Sequence, residues 1–437
     1  VRKEDGVPPS ENVYDVLNDR GFVAQSTDEE AIRERLQTPT TCYIGFDPTA
    51  DSLHIGSLVP ILALAHMQRH GHRTIVLVGG GTGLVGDPSG KTEMRKMLTV
   101  EQIQANVAAL KLQLSQFLDF SNDKAQLLNN ADWLVSLGYI EFLRDIGKHF
   151  SVNRMLAAES YKQRMETGLN FIEFNYMLLQ AYDFYYLERN YDCCLQMGGN
   201  DQWGNIVAGI ELIRRKSAKS AFGITFPLLT TASGAKMGKT AAGAVWLSEA
   251  RTSPYDFYQY WVNTDDRDVE RFLKLYTFLP LEEIAAVNSL EGQHLNACKT
   301  VLAYEVTSIA HGKDKALAAY EAASKVFGRR SLPDNLLPSS SIPRAIEEDG
   351  QAIPTTWIPA DRLANGLAAF ELFTEVGLCE SKSAARRLIQ QGGAYVNEER
   401  IGEFDYKIGL AHASGQGILL KAGKKKFHRI LLENAGQ

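Results

Sequence analysis

The run Thr74-Ile75-Val76-Leu77-Val78, rich in β-branched residues and closed by Gly79-Gly80-Gly81, constrains this chain more than any other stretch. Ahead of it lie a helical run, Leu58 to Arg69, and a shorter strand-like run, Cys42-Tyr43-Ile44-Gly45-Phe46. Two buried-type strands joined by a helix make a β-α-β unit, the building block of a parallel sheet. Helical patterns at Val100 to Phe117 and Phe171 to Glu188, and a strand at Asp192 to Met197 before Gly198-Gly199, continue the alternation. An α/β doubly wound parallel sheet is therefore expected over residues 1–254.

The pattern then changes twice. From Pro254 to Phe327 it is helical, with Pro254 and Pro280 at expected helix starts, so 255–330 is read as an all-helical domain. Residues 331–360 concentrate Pro and Ser and read as a linker. Two helical stretches, Ala394-Tyr395-Val396-Asn397 and a hairpin-like pair at Gly417 to Lys421 and Lys426 to Leu432 follow, giving a small α+β module over 361–437. That module carries a net charge of +2 in a chain whose total is −6, so basic character is confined to one end. No apolar run approaches the ~18 residues of a membrane span. The acid-bearing N-terminus does not read as a secretory signal. Five cysteines without a Cys-x-x-Cys disfavour a disulfide framework or zinc site and suit a reducing compartment.

Four segments carry candidate chemistry. Asp47-Pro48-Thr49-Ala50-Asp51-Ser52-Leu53-His54-Ile55-Gly56-Ser57 leaves a strand and enters a helix, with Asp51 or Ser52 as the expected cap. His54 there adds a donor where helix N-H groups already favour phosphate, and Gly56 lets a flat base approach the backbone. Ala235-Lys236-Met237-Gly238-Lys239-Thr240 places two lysines in a glycine-bearing loop, which suits a polyphosphate. On the apolar helix from Phe171, Tyr176, Gln180 and Asp183 share one face, and a buried polar stripe needs partners. Gly198-Gly199-Asn200-Asp201-Gln202-Trp203-Gly204-Asn205 follows a strand end, where glycine admits a ligand and an acid can accept from sugar hydroxyls. Taken singly, each has an ordinary reading as a cap, a solvated turn, an internal hydrogen-bond set or a plain turn.

Two further patterns lead elsewhere. Gly81-Thr82-Gly83-Leu84-Val85-Gly86 matches the dinucleotide fingerprint of a nicotinamide oxidoreductase, but Asp87-Pro88-Ser89-Gly90-Lys91 interrupts the helix that should follow. Nor is it a P-loop, because the first required glycine falls at Val85. His66, His70 and His72 lack the Glu and Cys companions of a metal site, so none is expected.

The order of His54-Ile55-Gly56-Ser57 and Lys236-Met237-Gly238-Lys239-Thr240 resembles the two signatures of class I aminoacyl-tRNA synthetases on a Rossmann-type domain. With Tyr43 to Thr49, Gly86 to Lys91, the Tyr176–Asp183 helix and Gly199 to Asn205, the resemblance narrows to tyrosyl-tRNA synthetases of the bacterial and organellar type. It implies a tyrosine–tRNA ligase acting on L-tyrosine, ATP and tRNA(Tyr), in the cytoplasm or an organellar matrix. Mg²⁺ would enter with ATP, and a homodimer is implied.

The resemblance also implies roles. Tyr43 and Asp183 would bind the phenol hydroxyl, Asp87, Tyr176 and Gln180 the α-ammonium, and Gln202 would lie near the carboxylate. Gly199 and Asp201 would contact ribose. Asp47, Thr49, His54, Lys91, Arg95, Lys236, Lys239 and Thr240 would surround the phosphates, with Gly56 and Ser57 beside the nucleotide. Ser57 stands where the family's second signature histidine would be, and Asn200 where serine is common. Lys382, Arg386 and Arg387, on a helix capped near Ser381, resemble a small RNA-binding domain shared with a ribosomal protein. Lys421, Lys424, Lys425, Lys426 and Arg429 add a second basic strip. The alternatives are another aromatic amino-acid synthetase and a catalytically idle tRNA-binding relative.

Overall fold

A computed structural model of the chain describes residues 11–89, 98–232, 234, 237–240, 243–327, 330–344, 355–364, 366–397, 399–413, 417–423 and 426–433. Five parallel strands and one antiparallel edge form the first sheet, in the spatial order Gln25–Ser26, Phe222–Phe226, Cys193–Gly199, Thr41–Phe46, Arg73–Val78, Ala125–Asn129. From Thr41–Phe46 the chain winds outward to one side, and from Cys193–Gly199 to the other. The switch point lies between these two strands, and a crevice at their carboxyl ends follows from the topology.

Helices cover the sheet for local reasons. Leu58–Arg69 is buried along nearly its whole length, and Val100–Leu114 opens on a capping box between Thr99 and Gln102. The run expected as one helix from Phe171 to Glu188 is two, Phe171–Phe174 and Tyr176–Tyr191, meeting at Asn175. The first is anchored by Glu173, whose carboxylate accepts from the buried Arg164 guanidinium at 2.9 Å. His66 packs against the Phe22 and Phe278 rings, His70 Nδ1 lies 2.8 Å from the His66 carbonyl, and His72 Nδ1 accepts from Thr40 N, so all three belong to the packing.

The chain divides into two compact units, 1–344 and 345–437. Within the first, helices Pro254–Val262, Val269–Tyr276, Gly292–His311 and Lys313–Phe327 continue from the sheet region without a break between compact units at 254. Arg20 fastens them: its guanidinium donates to the carbonyls of Lys274, Thr277 and Leu279. The stretch read as a linker is divided between the units. Leu336, Leu337 and Ile342 are buried in the first, while Thr355–Pro359 is a strand of the second.

In the second unit the strands lie in the order Glu399–Arg400, Ala394–Val396, Ile418–Ala422, Lys426–Glu433, Thr355–Pro359, with only the last pair parallel. Helices Ala369–Glu375 and Lys382–Gln390 pack on one face of this sheet through Leu372, Phe373, Ala385 and Ile389. Ser381 caps the second helix, accepting from Ala384 N.

Candidate active site

The switch-point crevice is a cavity of about 370 Å³. Tyr43, Asp87, Tyr176, Gln180, Asp183 and Gln202 all line it, and so do Asp47, Thr49, His54, Gly56, Ser57, Gly199 and Asp201. Lys91, Arg95 and Lys236 lie outside the described residues. Lys239 and Thr240 form a two-residue strand paired with Gly243–Ala244.

At the deep end, Asp183 is buried and accepts from Trp133 Nε1 at 2.7 Å and Asn130 Nδ2 at 2.8 Å. Burial pushes its carboxyl up to about 7, against the opposing pull of those two donors. The Tyr43 hydroxyl is likewise buried and has no hydrogen-bond partner among the described residues. Burial first, then the nearby Asp183 charge, hold its phenol well above the ordinary value. A buried donor left unpaired costs about 1–3 kcal/mol, so this end is unfinished without a ligand hydroxyl. Gln196 adds a second orphan, its Oε1 buried beside the same cavity.

A second cluster lies in the same cavity. Gln202 Nε2 donates to Asp87 at 2.7 Å, and Asn205 Nδ2 donates to both Gln180 and Gln202. Tyr176 Oη donates to Asp47 at 3.3 Å. Burial, then the Asp47 charge, lift Asp87 to about 6. Carboxylates this close raise one another and are relieved by a cation, which describes an amino acid's ammonium. Asp47, implied by resemblance to face the nucleotide, is thus held by Tyr176 in the acidic corner.

The opposite end is built from main chain. The turn does not start at Asp51 or Ser52, as expected from the sequence. His54 is the cap, its Nδ1 accepting from Gly56 N at 3.0 Å, ahead of the turn Ile55–Ser57 and helix Leu58–Arg69. Ser52 is taken elsewhere: its Oγ accepts from Ser248 N and from Gln113 Nε2, while Gln113 Oε1 accepts from Leu53 N at 2.8 Å. With Nδ1 accepting, a neutral imidazole carries its proton on Nε2, the donor useful to a phosphate. A Cβ on Gly56 would fall 2.7 Å from the imidazole Cε1, so only glycine lets the ring lie there.

The two signature segments meet through one strand-like stretch. Ile55 N donates to Val245 O, Leu247 N to Leu53 O, and Val245 N to Gly238 O. Gly238, at φ +81°, approaches so closely that a Cβ would lie 2.9 Å from Ile55 Cγ1. The histidine turn and the backbone at Gly238 are therefore joined main chain to main chain through Val245.

Sequence reading missed Asn130, Trp133, Gln196 and Gln113, and quoted Asn205 without a role. Asn130 follows the strand Ala125–Asn129, whose Ala-Gln-Leu-Leu-Asn lacks β-branched residues and gave no strand signal. In the second unit, Lys382 is paired with Glu371 at 2.8 Å, and the exposed Arg386 lies 4.1 Å over the Phe370 ring, next to exposed Arg387. Lys424 and Lys425 lie outside the described residues.

Residues 34–328 match the family of class I tRNA synthetases for tryptophan and tyrosine, and 346–430 match the SYY-like C-terminal domain of tyrosine–tRNA ligase. The chain is 60% identical over 428 residues to the tyrosine–tRNA ligase of Desulfosudis oleivorans, covering 96% of this chain and 99% of that one. It is 52% identical to that of Clostridium botulinum strain 657, over 97% of this chain and 100% of the relative. Among solved structures, a C-terminally truncated mitochondrial tyrosyl-tRNA synthetase from Aspergillus nidulans aligns with TM-score 0.66 at 31% identity, covering 72% of this chain and 94% of that chain. Two family matches and near-complete relatives agree: the chain belongs to the tyrosine–tRNA ligase family of class I aminoacyl-tRNA synthetases.

Proposed function

We infer that the switch-point cleft joins L-tyrosine to ATP and then passes the tyrosyl group to tRNA(Tyr). The observation that carries this reading is the joint burial of the unpaired Tyr43 hydroxyl and the Asp183 carboxylate at the closed end of a cavity whose other end holds the His54 turn. Tyr43 and Asp183 take the phenol hydroxyl, Asp87, Tyr176 and Gln180 the ammonium, and Gln202 stands by the carboxylate. That carboxylate attacks the α-phosphorus in line, the bond to the bridging oxygen breaks, and pyrophosphate leaves.

Rate comes from positioning and from neutralising charge that grows on the phosphates. His54 donates through Nε2, and Lys91, Arg95, Lys236, Lys239 and Thr240 complete the cradle. Mg²⁺ arrives as part of the nucleotide substrate and screens its phosphates. Gly199 and Asp201 take the ribose, with Thr49, Gly56 and Ser57 along the nucleotide. A terminal ribose hydroxyl of the tRNA then attacks the activated carbonyl, and AMP leaves.

For tRNA, we assign Lys382, Arg386, Arg387, Lys424 and Lys425 to phosphate contacts and the helices of 255–330 to the anticodon side. A homodimer is supported by the large apolar side chains Val135, Tyr139, Ile140 and Val152, all left exposed in the helical segment after Ala125–Asn129. Its five free cysteines and the bacterial sources of its relatives support a reducing cytoplasm, with an organellar matrix as the alternative. No helix among the described residues is long and apolar enough to cross a membrane.

ATP–pyrophosphate exchange on the purified chain tests the reading. Exchange driven by tyrosine and not by tryptophan or phenylalanine is expected; exchange driven by tryptophan would overturn the pocket assignment.

A further inference from the structure

The two faces of the C-terminal sheet are unlike. Strand alternation sends Val396, Ile418, Leu420, Ile430 and Ile358 into the core beneath the two helices. The opposite parity carries rings and cations. Tyr395 pairs with Lys421, and Lys421 with Phe427, so the three form a row across neighbouring strands. Lys421 Nζ lies 5.3 Å from the centres of both the Tyr395 and Phe427 rings. One row further Arg429 stands outward between Leu419 and Thr355, and in the row beyond it Leu431 is registered against Trp357. Trp357 is 58% exposed and Phe427 36%.

Exposed tryptophan on an open sheet is apolar surface left in water, and large aromatic area beside cations is what unpaired nucleotides engage. Rings take bases by stacking, whichever base it is, and ammonium and guanidinium groups take the flanking phosphates. A duplex stem offers no free base faces, so this face suits loop or terminal nucleotides.

We propose that the open face of the C-terminal sheet is a second tRNA-contact surface, on which unpaired bases stack against Tyr395, Phe427 and Trp357 while Lys421 and Arg429 hold the backbone. It lies on the side of the sheet opposite the helix that bears Lys382, Arg386 and Arg387. The proposal rests on the reading of the chain as a tRNA ligase, and it extends the basic strip of the sequence into a stacking surface.

The test uses the full chain and a tRNA(Tyr) transcript. Trp357→Ala and Phe427→Ala are each expected to raise the KM for tRNA in aminoacylation about tenfold. Tyrosine-dependent exchange without tRNA stays unchanged, because the adenylate site is in the other unit. Trp357→Phe keeps a flat ring and restores most of the affinity. Tryptophan fluorescence is quenched by added tRNA, and part of that quenching disappears in Trp357→Phe. An unchanged KM for tRNA in both alanine variants overturns the proposal. So does an unchanged KM with a halved mass in solution, which would assign the face to a second copy of the chain. A wild-type chain that exchanges pyrophosphate but charges no tRNA at any concentration would instead refute the ligase reading.

Discussion

The two ends of the cleft are built by different means. At the Asp183 end, which we assign to tyrosine, side chains grip side chains: Asp183 rests on Asn130 and Trp133, and Asp87 on Gln202, all in or beside the core. At the His54 end, main chain grips main chain, and the His54 imidazole caps its own turn. The contrast follows from the ligands. A phenol must be told from a phenyl ring, which needs buried, preorganised partners that suffer when the hydroxyl is missing. A triphosphate presents the same charges whichever amino acid lies beside it, and needs only charge and donors in the right places.

Breaking the tyrosine end should have the largest effect. Asp183→Ala leaves the Trp133 and Asn130 donors facing a void, and kcat/KM for tyrosine in pyrophosphate exchange should fall by at least about 10²-fold while circular dichroism stays native. Full activity in that variant would refute the assignment. His54→Ala strikes the other end: a loss of about 10²-fold in kcat with an unchanged KM for tyrosine is expected, since its donor serves the developing charge. Gly56→Ala, by pushing the imidazole aside, should approach the same phenotype, and wild-type kinetics would show that the ring position is immaterial.

Gln113→Leu removes the link between the helix Val100–Leu114 and the histidine turn. About tenfold in kcat should be lost with the tyrosine KM unmoved, and a change confined to that KM would contradict the division between the ends.

Proton dependence sharpens the same comparison. Asp183, at about 7, and Asp87, at about 6, must be ionised to grip the substrate, so kcat/KM for tyrosine should fall as pH drops through that window. Asp183→Asn should remove the upper step. Stability runs the other way: with folded values above the ordinary 3.8, these carboxyls favour the unliganded fold most below that value and lose the benefit as pH rises through about 6 and 7. Burial pushes His72 down to about 4, so its contribution is present above 6.5 and lost as pH falls through about 4. His72→Asn should flatten that acid limb of the melting curve slightly, the smallest effect of the set.

What the sequence disclosed follows from what side chains can advertise. The β-branched run at 74–78 announced a buried strand, and helix Leu58–Arg69 was read at its observed ends. Polar residues at helical spacing announced Tyr176, Gln180 and Asp183. The strand Ala125–Asn129 made no such announcement, and Asn130 at its end went unread with it. Asp51 and Ser52 were good caps by type, but Gln113 and Ser248 claim the serine hydroxyl from far along the chain, which local pattern cannot foresee. Thr355–Pro359, flanked by proline, looked like a connector and is a strand because a parallel neighbour at the chain's end accepts it.

The pairing of Leu53 and Ile55 with Val245 and Leu247 uses amide and carbonyl groups alone. The hydrogen bonds of such a weld do not depend on which side chains the four residues carry. Alanine at these buried positions would cost packing yet leave the main-chain bonds of the joint in place. Proline, by deleting the N–H of Leu247, is the replacement that cuts it.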